Sequence, residues 1–383
     1  MNPSQYGQRS TLGATDLDLH INIEDEVVKF PKYRRELINR LSGKNFTKEV
    51  KSHKYEWSAR DNRKLQSTIA VDASDSATVF IAADAGVFNA DDLIQFVGGS
   101  QAVVESVAGG IEVTFRMVAG TQIAQALGKE VTIIGGASAQ GKKADTMVVS
   151  GFADYFNLTS IIEDVVELSG TENAAMIRGD ENSGQLIARK QMELTEKLQR
   201  QLIVGKRYED KSRKLTLMGG LKDLIDLYAP ANAIDFGGNI WASDQAVEEK
   251  IDEALDIIAE KAFDKPVMYV SPKFMKKFKY IQHADVHPQD DKKSRGVGVV
   301  KQYISHTFGD IDVVQLQGMG GVMDDLIFFV DESQFGYKPE RTRGWFTTPM
   351  GKDGDSYKWQ VLGEYTCKLD IPEAAVYMYN LGL

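Results

Sequence analysis

Apolar positions recur at helical spacing in a few stretches of the chain and at strand spacing between them. Residues 1 to about 45 are polar and mixed in charge, and Asn2–Thr15 has the composition of an arm without its own core. Tyr33–Leu41 carries a short helical pattern that ends near Gly43. Lys51–Thr68 reads as extended, with aromatic and polar residues alternating over His53–Trp57. From 71 to 145 the apolar runs are short: Val71, Val79–Ile81, Leu93–Val97, Val103 with Val104, Ile111–Phe115 and Val131–Ile134. Gly86, Gly98, Gly99, Gly109, Gly110, Gly120, Gly128, Gly135 and Gly136 separate them. Turn signals this close together predict a small β-barrel or sandwich. The segment 71–145 is therefore expected to be an inserted all-β domain of roughly 70–75 residues.

Met147–Leu168 is extended again and ends at Ser169, Gly170 and Thr171. The strongest helical pattern follows, Ser183–Val204, with Leu194, Leu198 and Leu202 in one i,i+4 stripe and Gly205 as its stop. At ~1.5 Å per residue it spans about 30 Å. The stripe reads as core packing before it reads as a docking face for a partner helix. Beyond Gly219 and Gly220, Leu221–Tyr228 is a short amphipathic helix closed by Pro230. Residues 243–263 form a second clear helix, with Ser243 as N-cap and Val247, Ile251, Ala254, Leu255 and Ile258 as the apolar face. Pro266–Val270 reads as a buried strand, Ser271 and Pro272 cap a helix over Lys273–Ile281, and 285–296 reads as a charged loop. The C-terminal third is β-rich over Ile311–Leu316, Leu326–Val330, Trp345–Thr348, Ser356–Asp370 and Ala374–Asn380. The fold class is α+β, because the order is mixed and lacks the alternation of a doubly wound sheet.

A chain of 383 residues with 43% hydrophobic residues buries a sizeable core and has room for roughly two or three domains. The formal net charge of −10 argues against a strongly basic nucleic-acid binder, since phosphate binding needs surplus Lys and Arg. The one cysteine, Cys367, forms no intrachain disulfide and fits a reducing compartment. Met1–Leu19 lacks the apolar region of a secretory signal, and no apolar run approaches the ~20 residues of a membrane span. The expectation is a soluble protein made in the cytoplasm, with no membrane partner.

Reaction chemistry is sparse. No phosphate loop or nucleophile elbow occurs, and Gly296 with Gly298 lacks the third glycine of a dinucleotide fingerprint. Cys367 lies inside a β-pattern and reads as a packed residue, not a nucleophile. His283 and His287 stand at metal-pair spacing with Asp285, Asp290 and Asp291 nearby, but Pro288 makes the segment a loop, where helical spacing loses its meaning. Asp84, Asp91 with Asp92, and Asp324 with Asp325 sit among turn signals and read as turn residues. Arg341 and Arg343, beside Gly344 and Trp345, suit an anion, a stack, an intersubunit salt bridge or a surface pair. No catalytic, cofactor-binding or metal-binding residue is assigned, and the reading is not an enzyme.

Several phrases resemble one family. Residues 55–60 (YEWSAR) and 155–175 (YFNLTSIIEDVVELSGTENAA) resemble the strands that enter and leave the E-loop of tailed-phage major head proteins with the Hong Kong 97 fold. Asn157, Thr159, Ile161, Val166, Leu168, Ser169, Gly170 and Thr171 fit the second phrase, with Ile162 in place of an aromatic. Met218–Leu221 resembles the opening of the axial domain, and Phe308–Val314 the F-G-x-(I/V)-x-V-V strand of the family. Gly354–Ser356 with Gly363–Thr366 resembles the closing strands, with Cys367 where an apolar residue is usual.

The resemblance covers nearly the whole chain from about residue 50. It implies an N-terminal arm over 1–45, E-loop strands over 46–70 and 146–168, and an inserted β-domain over 71–145. A spine helix and the start of the peripheral domain would occupy 169–218. A mostly axial domain would occupy 219–325, with the return to axial and peripheral domains over 326–383. The implied function is a major capsid protein that self-assembles as hexamers and pentamers of an icosahedral head enclosing double-stranded DNA. Implied partners are other copies, a scaffold protein, a portal, decoration or minor capsid proteins, and packaged DNA contacted without sequence specificity. Localisation would be the virion capsid, assembled in the host cytoplasm. The inserted domain would be a built-in decoration or a clamp between capsomers. No Lys, Asn and Glu set for a covalent cross-link aligns. An encapsulin-like nanocompartment shell, a non-assembling β-barrel binding module and a hydrolase are the competing readings.

Overall fold

The computed structural model describes residues 36–41, 50–60, 64–72, 77–120, 126–136, 152–170, 183–238, 241, 243–262, 264–278, 286–288, 300–316, 320–351 and 354–383. The expected arm, Asn2–Thr15, lies outside them. The chain divides into two compact units, Ser58–Asp154 and the remainder, Met1–Trp57 with Tyr155–Leu383. Helix α1 (Glu36–Leu41) buries Leu37, Ile38 and Leu41. Strand β1 (Lys54–Arg60) runs from the larger unit into the smaller one, and β8 (Phe152–Leu158) runs back beside it as a two-stranded ribbon.

Between them lie β2 (Gln66–Thr68), β3 (Val79–Ile81), β4 (Asp92–Phe96), β5 (Gln101–Ala108), β6 (Glu112–Ala119) and β7 (Glu130–Gly136). They form one six-stranded sheet in the order β2-β7-β4-β5-β6-β3. The sheet curls until its edges meet. Ile69 bridges Ala82, the Ala70 N–H donates to the Ile81 carbonyl at 2.8 Å, and the Ala83 N–H donates to the Thr68 carbonyl at 2.8 Å. Curling places alternate residues inside. Phe80, Phe88, Phe96 and Phe115 interlock there with Ile94, Val104, Val113 and Val131. The sheet begins at β2, whereas the β-rich segment read from sequence begins at 71; three residues with one buried side chain carry too little pattern to assign.

In the larger unit, β9 (Ser160–Ser169) alternates strictly enough to bury Ile162, Val166 and Leu168 on one face. Helix α2 (Ser183–Val204) matches the span read from sequence and buries Leu194, Leu198 and Leu202, with Thr195, Gln199 and Ile203 beside them. It lies against β9, where Lys190 and Lys197 stand 3.4 and 3.6 Å from Asp164. A hairpin of β10 (Tyr208–Asp210) and β11 (Leu215–Leu217) leads to α3 (Leu221–Tyr228) and β12 (Ala233–Asp235).

The chain then passes through α4 (Asp244–Ala259), β13 (Val267–Val270), α5 (Pro272–Phe278), β14 (Val286–Pro288), β15 (Val300–Ser305), β16 (Gly309–Gln315) and β17 (Ile327–Val330). It closes with β18 (Phe335–Pro339), β19 (Phe346–Pro349), β20 (Ser356–Leu369) and β21 (Ala375–Tyr379). A seven-stranded mixed sheet has the order β12-β21-β17-β13-β16-β15-β14. Its central strands β13 and β17 are buried on both faces, as unbroken apolar runs require. The Ser243 side chain accepts the Ala246 N–H and caps α4. The buried residues of α4 and α5 pack on one face of this sheet. A smaller sheet is built on β20, which pairs with β18 and β19 on one side and with β9 over ten residues, Ser160–Ser169, on the other.

One expectation is corrected. The charged segment 285–296 is not loop throughout, because Val286–Pro288 pairs with β15 as the edge strand of the seven-stranded sheet. An edge tolerates Pro288, which has no N–H to give, and the register shifts beside it. The unassigned hairpin β10–β11 and strand β12 are three residues per strand, too short for a periodicity.

Each unit has its own core, so damage should stay local. Phe115→Ala removes a ring that is 2% exposed and should destabilise the six-stranded unit by about 3–5 kcal/mol. Hydrogen exchange should show lost protection across 77–120 and unchanged protection in β13 and β17.

Candidate functional site: a buried polar junction

Within the larger unit the ribbon strand β8 carries Asn157, a residue with no exposed surface. Its Nδ2 donates to the carbonyls of Gly219 and Cys367, each at 2.9 Å. Its Oδ1 accepts the N–H groups of Gly219 at 2.8 Å and Leu158 at 2.9 Å. The carboxamide thus uses both donor hydrogens and both acceptor lone pairs. The Cys367 thiol donates to the same Gly219 carbonyl at 2.9 Å. The thiol is fully buried, and burial pushes its pKa up to about 12, against a smaller opposing effect of the Asn157 hydrogen bond. A buried amide left unpaired costs about 1–3 kcal/mol per group. Asn157 is therefore stable there only when the start of α3 and the end of β20 both arrive in place.

Glycine lets them arrive. The Gly220 N–H donates to the Gly205 carbonyl at 2.8 Å, and the Gly205 N–H donates to the Gln201 carbonyl at 2.8 Å. A Cβ on either glycine would stand 2.4 Å from the Gln201 carbonyl oxygen. The end of α2 and the start of α3 meet backbone to backbone, which any side chain would prevent. Asp223, in the first turn of α3, accepts the Arg207 N–H at 2.9 Å. Burial raises its pKa, and the Arg207 hydrogen bond only partly offsets this.

The neighbouring residues tie the same segments again. The Arg207 guanidinium lies 3.9 Å from the Phe156 ring centroid and donates to the Phe156 carbonyl at 2.6 Å. The Lys54 ammonium lies 4.3 Å from that ring. Thr159 donates through Oγ1 to Glu364 at 2.6 Å and through its N–H to the His53 carbonyl at 2.7 Å. Thr366 Oγ1 donates to the Leu158 carbonyl at 2.9 Å. Gln201 Nε2 donates to Ser160 Oγ at 2.8 Å. The junction thus joins both ribbon strands, α2, α3 and β20.

The residues singled out from sequence are placed apart. Cys367 belongs to the junction as a hydrogen-bond donor. Arg343 is held within the chain, its Nε 2.9 Å from Glu364, while Arg341 is exposed in a turn with φ +33°. Asp84 accepts from Lys64 Nζ at 2.9 Å and Ser67 Oγ at 3.1 Å, and the Lys64 bond lowers its pKa. Asp91 takes φ +71° in its turn, and Asp92 accepts the Asn89 N–H at 2.8 Å. Asp324 pairs with Lys273 at 2.9 Å, and Asp325 accepts the Leu381 N–H at 2.6 Å. His287 lies in the edge strand β14. His283, Asp285, Asp290 and Asp291 lie outside the described residues. Among the described residues, no three His, Cys, Asp or Glu side chains are grouped to hold a metal ion, and no helix is long and apolar enough to cross a membrane. Sequence reasoning missed Arg207, which carries no pattern of its own, and met Glu364 only within the Gly363–Thr366 phrase, with no role given to it. The paired glycines at 219 and 220 were the available signal for close backbone contact.

The profile of the SU10 major capsid protein family matches residues 4–382. The chain belongs to that family. No curated protein sequence matches it. Among solved structures, it is similar to one from Microbacterium phage Oxtober96, with TM-score 0.52 and 9% identity over 94% of this chain and 96% of that one. A structure of the asymmetric unit of the bacteriophage PhiM1 mature capsid has TM-score 0.42 and 9% identity over 65% and 79%. An encapsulin complex from Synechococcus elongatus has TM-score 0.42 and 12% identity over 61% and 78%. The fold is Hong Kong 97-like. This SU10-family protein is a tailed-phage major capsid protein, a structural component of the virion shell and not an enzyme. It assembles with itself.

For this capsid protein the junction carries two measurable consequences. Asn157→Leu takes the side-chain partner from the Gly219 and Leu158 N–H groups and from the Cys367 carbonyl, while the Gly219 carbonyl keeps the Cys367 thiol, and should cost about 3–5 kcal/mol in urea unfolding. The Cys367 thiol should resist thiol reagents at pH 8 in the native state and react on denaturation. Its folded pKa lies above the unfolded value, so the unfolded chain loses its proton first as pH rises. The associated stability is present below about pH 9 and is lost toward pH 12. A native thiol that labels at pH 8 as fast as a free one would refute this.

Proposed function

We propose that this capsid protein forms hexameric and pentameric capsomers of an icosahedral head that encloses double-stranded DNA. The ribbon of β1 and β8 acts as the E-loop stem, α2 as the spine helix, the β9–β20 sheet as the peripheral domain and the seven-stranded sheet as the axial domain. The arm over 1–45 and the E-loop strands over 46–70 and 146–168 reach neighbouring subunits. The inserted β-domain over 71–145, or the curled unit that contains it, serves as a built-in decoration or a clamp between capsomers. One observation carries this reading most: β9 continues from the ribbon along α2 and is locked over ten residues to β20 from the chain's far end. A ribbon so rooted transmits load between subunits without unfolding its own.

A closed shell needs repeated self-contacts, each at a scale of roughly 1,200–2,000 Å² for a stable interface. The net charge of −10 suits a wall that meets DNA without gripping its phosphates. A scaffold protein, a portal and minor or decoration proteins complete the proposed set of partners, and assembly takes place in the host cytoplasm. Electron microscopy of the purified chain, with its scaffold co-expressed, should show shells or rings of five and six. A species that stays monomeric with the scaffold supplied would sink the proposal.

A further inference from the structure

In the larger unit, α2 leads into the hairpin β10–β11, whose loop runs through Lys211, Ser212, Arg213 and Lys214, all of them exposed. Three of these four residues are cations, on a chain whose net charge is −10. The acid at the turn is occupied by the loop itself. The Asp210 carboxylate accepts the Ser212 N–H at 2.9 Å, the Ser212 hydroxyl at 2.6 Å and the Arg213 N–H at 3.2 Å. The Arg213 guanidinium stands 3.8 Å from that carboxylate, yet its side chain is 80% exposed. Lys211 and Lys214 have no ionic partner among the described residues. The exposed Glu209 pairs in register with Thr216, so it lies on the face of the hairpin opposite to Tyr208 and Leu215. The loop is therefore a point of positive charge that its own strands do not neutralise.

Lys214 adds a second observation. Its backbone lies in the left-handed region, at φ +53°, where glycine or asparagine fits at least cost. A lysine is held there against its backbone preference, and no partner within the chain repays it. Strain under an exposed, unpaired side chain fits a residue kept for what it meets outside its own chain. We infer that the 211–214 loop is a binding site for the sugar–phosphate backbone of the enclosed DNA. A repeating phosphate chain meets clustered cations in any register, so the contact carries no sequence preference. A protein partner would need carboxylates placed to match. Three cations neutralise about three phosphates per copy, a weak hold that repetition over the shell multiplies. A wall of net negative charge then touches DNA at set points and repels it elsewhere. The inference rests on the proposed shell, which supplies the DNA.

The test uses DNA-filled heads of the full chain with a benzophenone photo-cross-linking residue in place of Leu215, which is 42% exposed beside the loop and uncharged. Irradiation should join the chain to nucleic acid, and the adduct should return close to the mass of the chain with DNase but not with RNase. The variant Lys211→Ser, Arg213→Ser, Lys214→Gly should still fill its heads, because all three side chains are exposed and glycine suits the backbone at 214. Its adduct yield should fall about tenfold or more, since the phosphate contacts are lost. Filled heads that give no adduct, or one sensitive to RNase alone, overturn the site and leave the shell intact. So does a product of twice the chain mass, which would make the loop a contact with an acidic surface of another copy. A variant that keeps the unsubstituted loop's adduct yield overturns the site as well. A wild-type chain that forms no heads counts against the shell reading, on which the site depends.

Discussion

The carboxamide of Asn157 is the interaction on which the larger unit depends. Its four hydrogen bonds reach the strand that carries it, the start of α3 and the end of β20, and none of those partners is free to move while the side chain stays buried. A neutral hydrogen bond contributes only about 0.5–1.5 kcal/mol net, yet an unmade one in the interior costs more. The asymmetry turns a modest energy into a strong specification of geometry. Misplacing either distant segment forfeits bonds that water cannot replace at a site with no exposure.

That specification would fail without the glycines. Gly219 and Gly220 bring a peptide group to the carboxamide while the end of α2 passes in direct backbone contact. The cations over Phe156 and the Thr159–Glu364–Arg343 chain then hold the ribbon strands on either side of Asn157. For a capsid subunit the position is apt, because in the proposed shell the ribbon reaches neighbours and carries force back to its root. Exposed ion pairs contribute about 0–1 kcal/mol each and would yield there. Buried and fully satisfied polar groups do not exchange partners with solvent.

Much of this architecture could be read from residues, and the failures have physical causes. The span of α2, the Ser243 cap and the long closing strand follow from periodicity and capping, which are local properties. The hairpin β10–β11 and strand β12 are too short to show a period, and β14 exists because β15 supplies a partner to a segment whose composition favours a loop. The junction was legible only in pieces. Asn157, Gly219 and Cys367 stand out singly, but they meet across 62 and 210 positions of sequence, and no local rule encodes that meeting. Cys367 shows the gap well. A buried, inert thiol is a sound inference from composition, whereas its bond to the Gly219 carbonyl appears only when the chain closes.

The closure also orders the energetics of the two units. The larger one pairs β9 with β20 across about half of the chain length, so its sheet forms only after costly loop closure. The curled unit closes over shorter spans, the longest joining its first strand β2 to its last strand β7, and its core of interlocked phenylalanines is complete within Ser58–Asp154. Substitutions on its surface therefore leave the Asn157 junction untouched, and the junction tolerates no such freedom. A shell protein divided in this way keeps the invariant geometry of its wall in one buried polar group and leaves a separately stable surface on which new contacts arise at little risk to the wall.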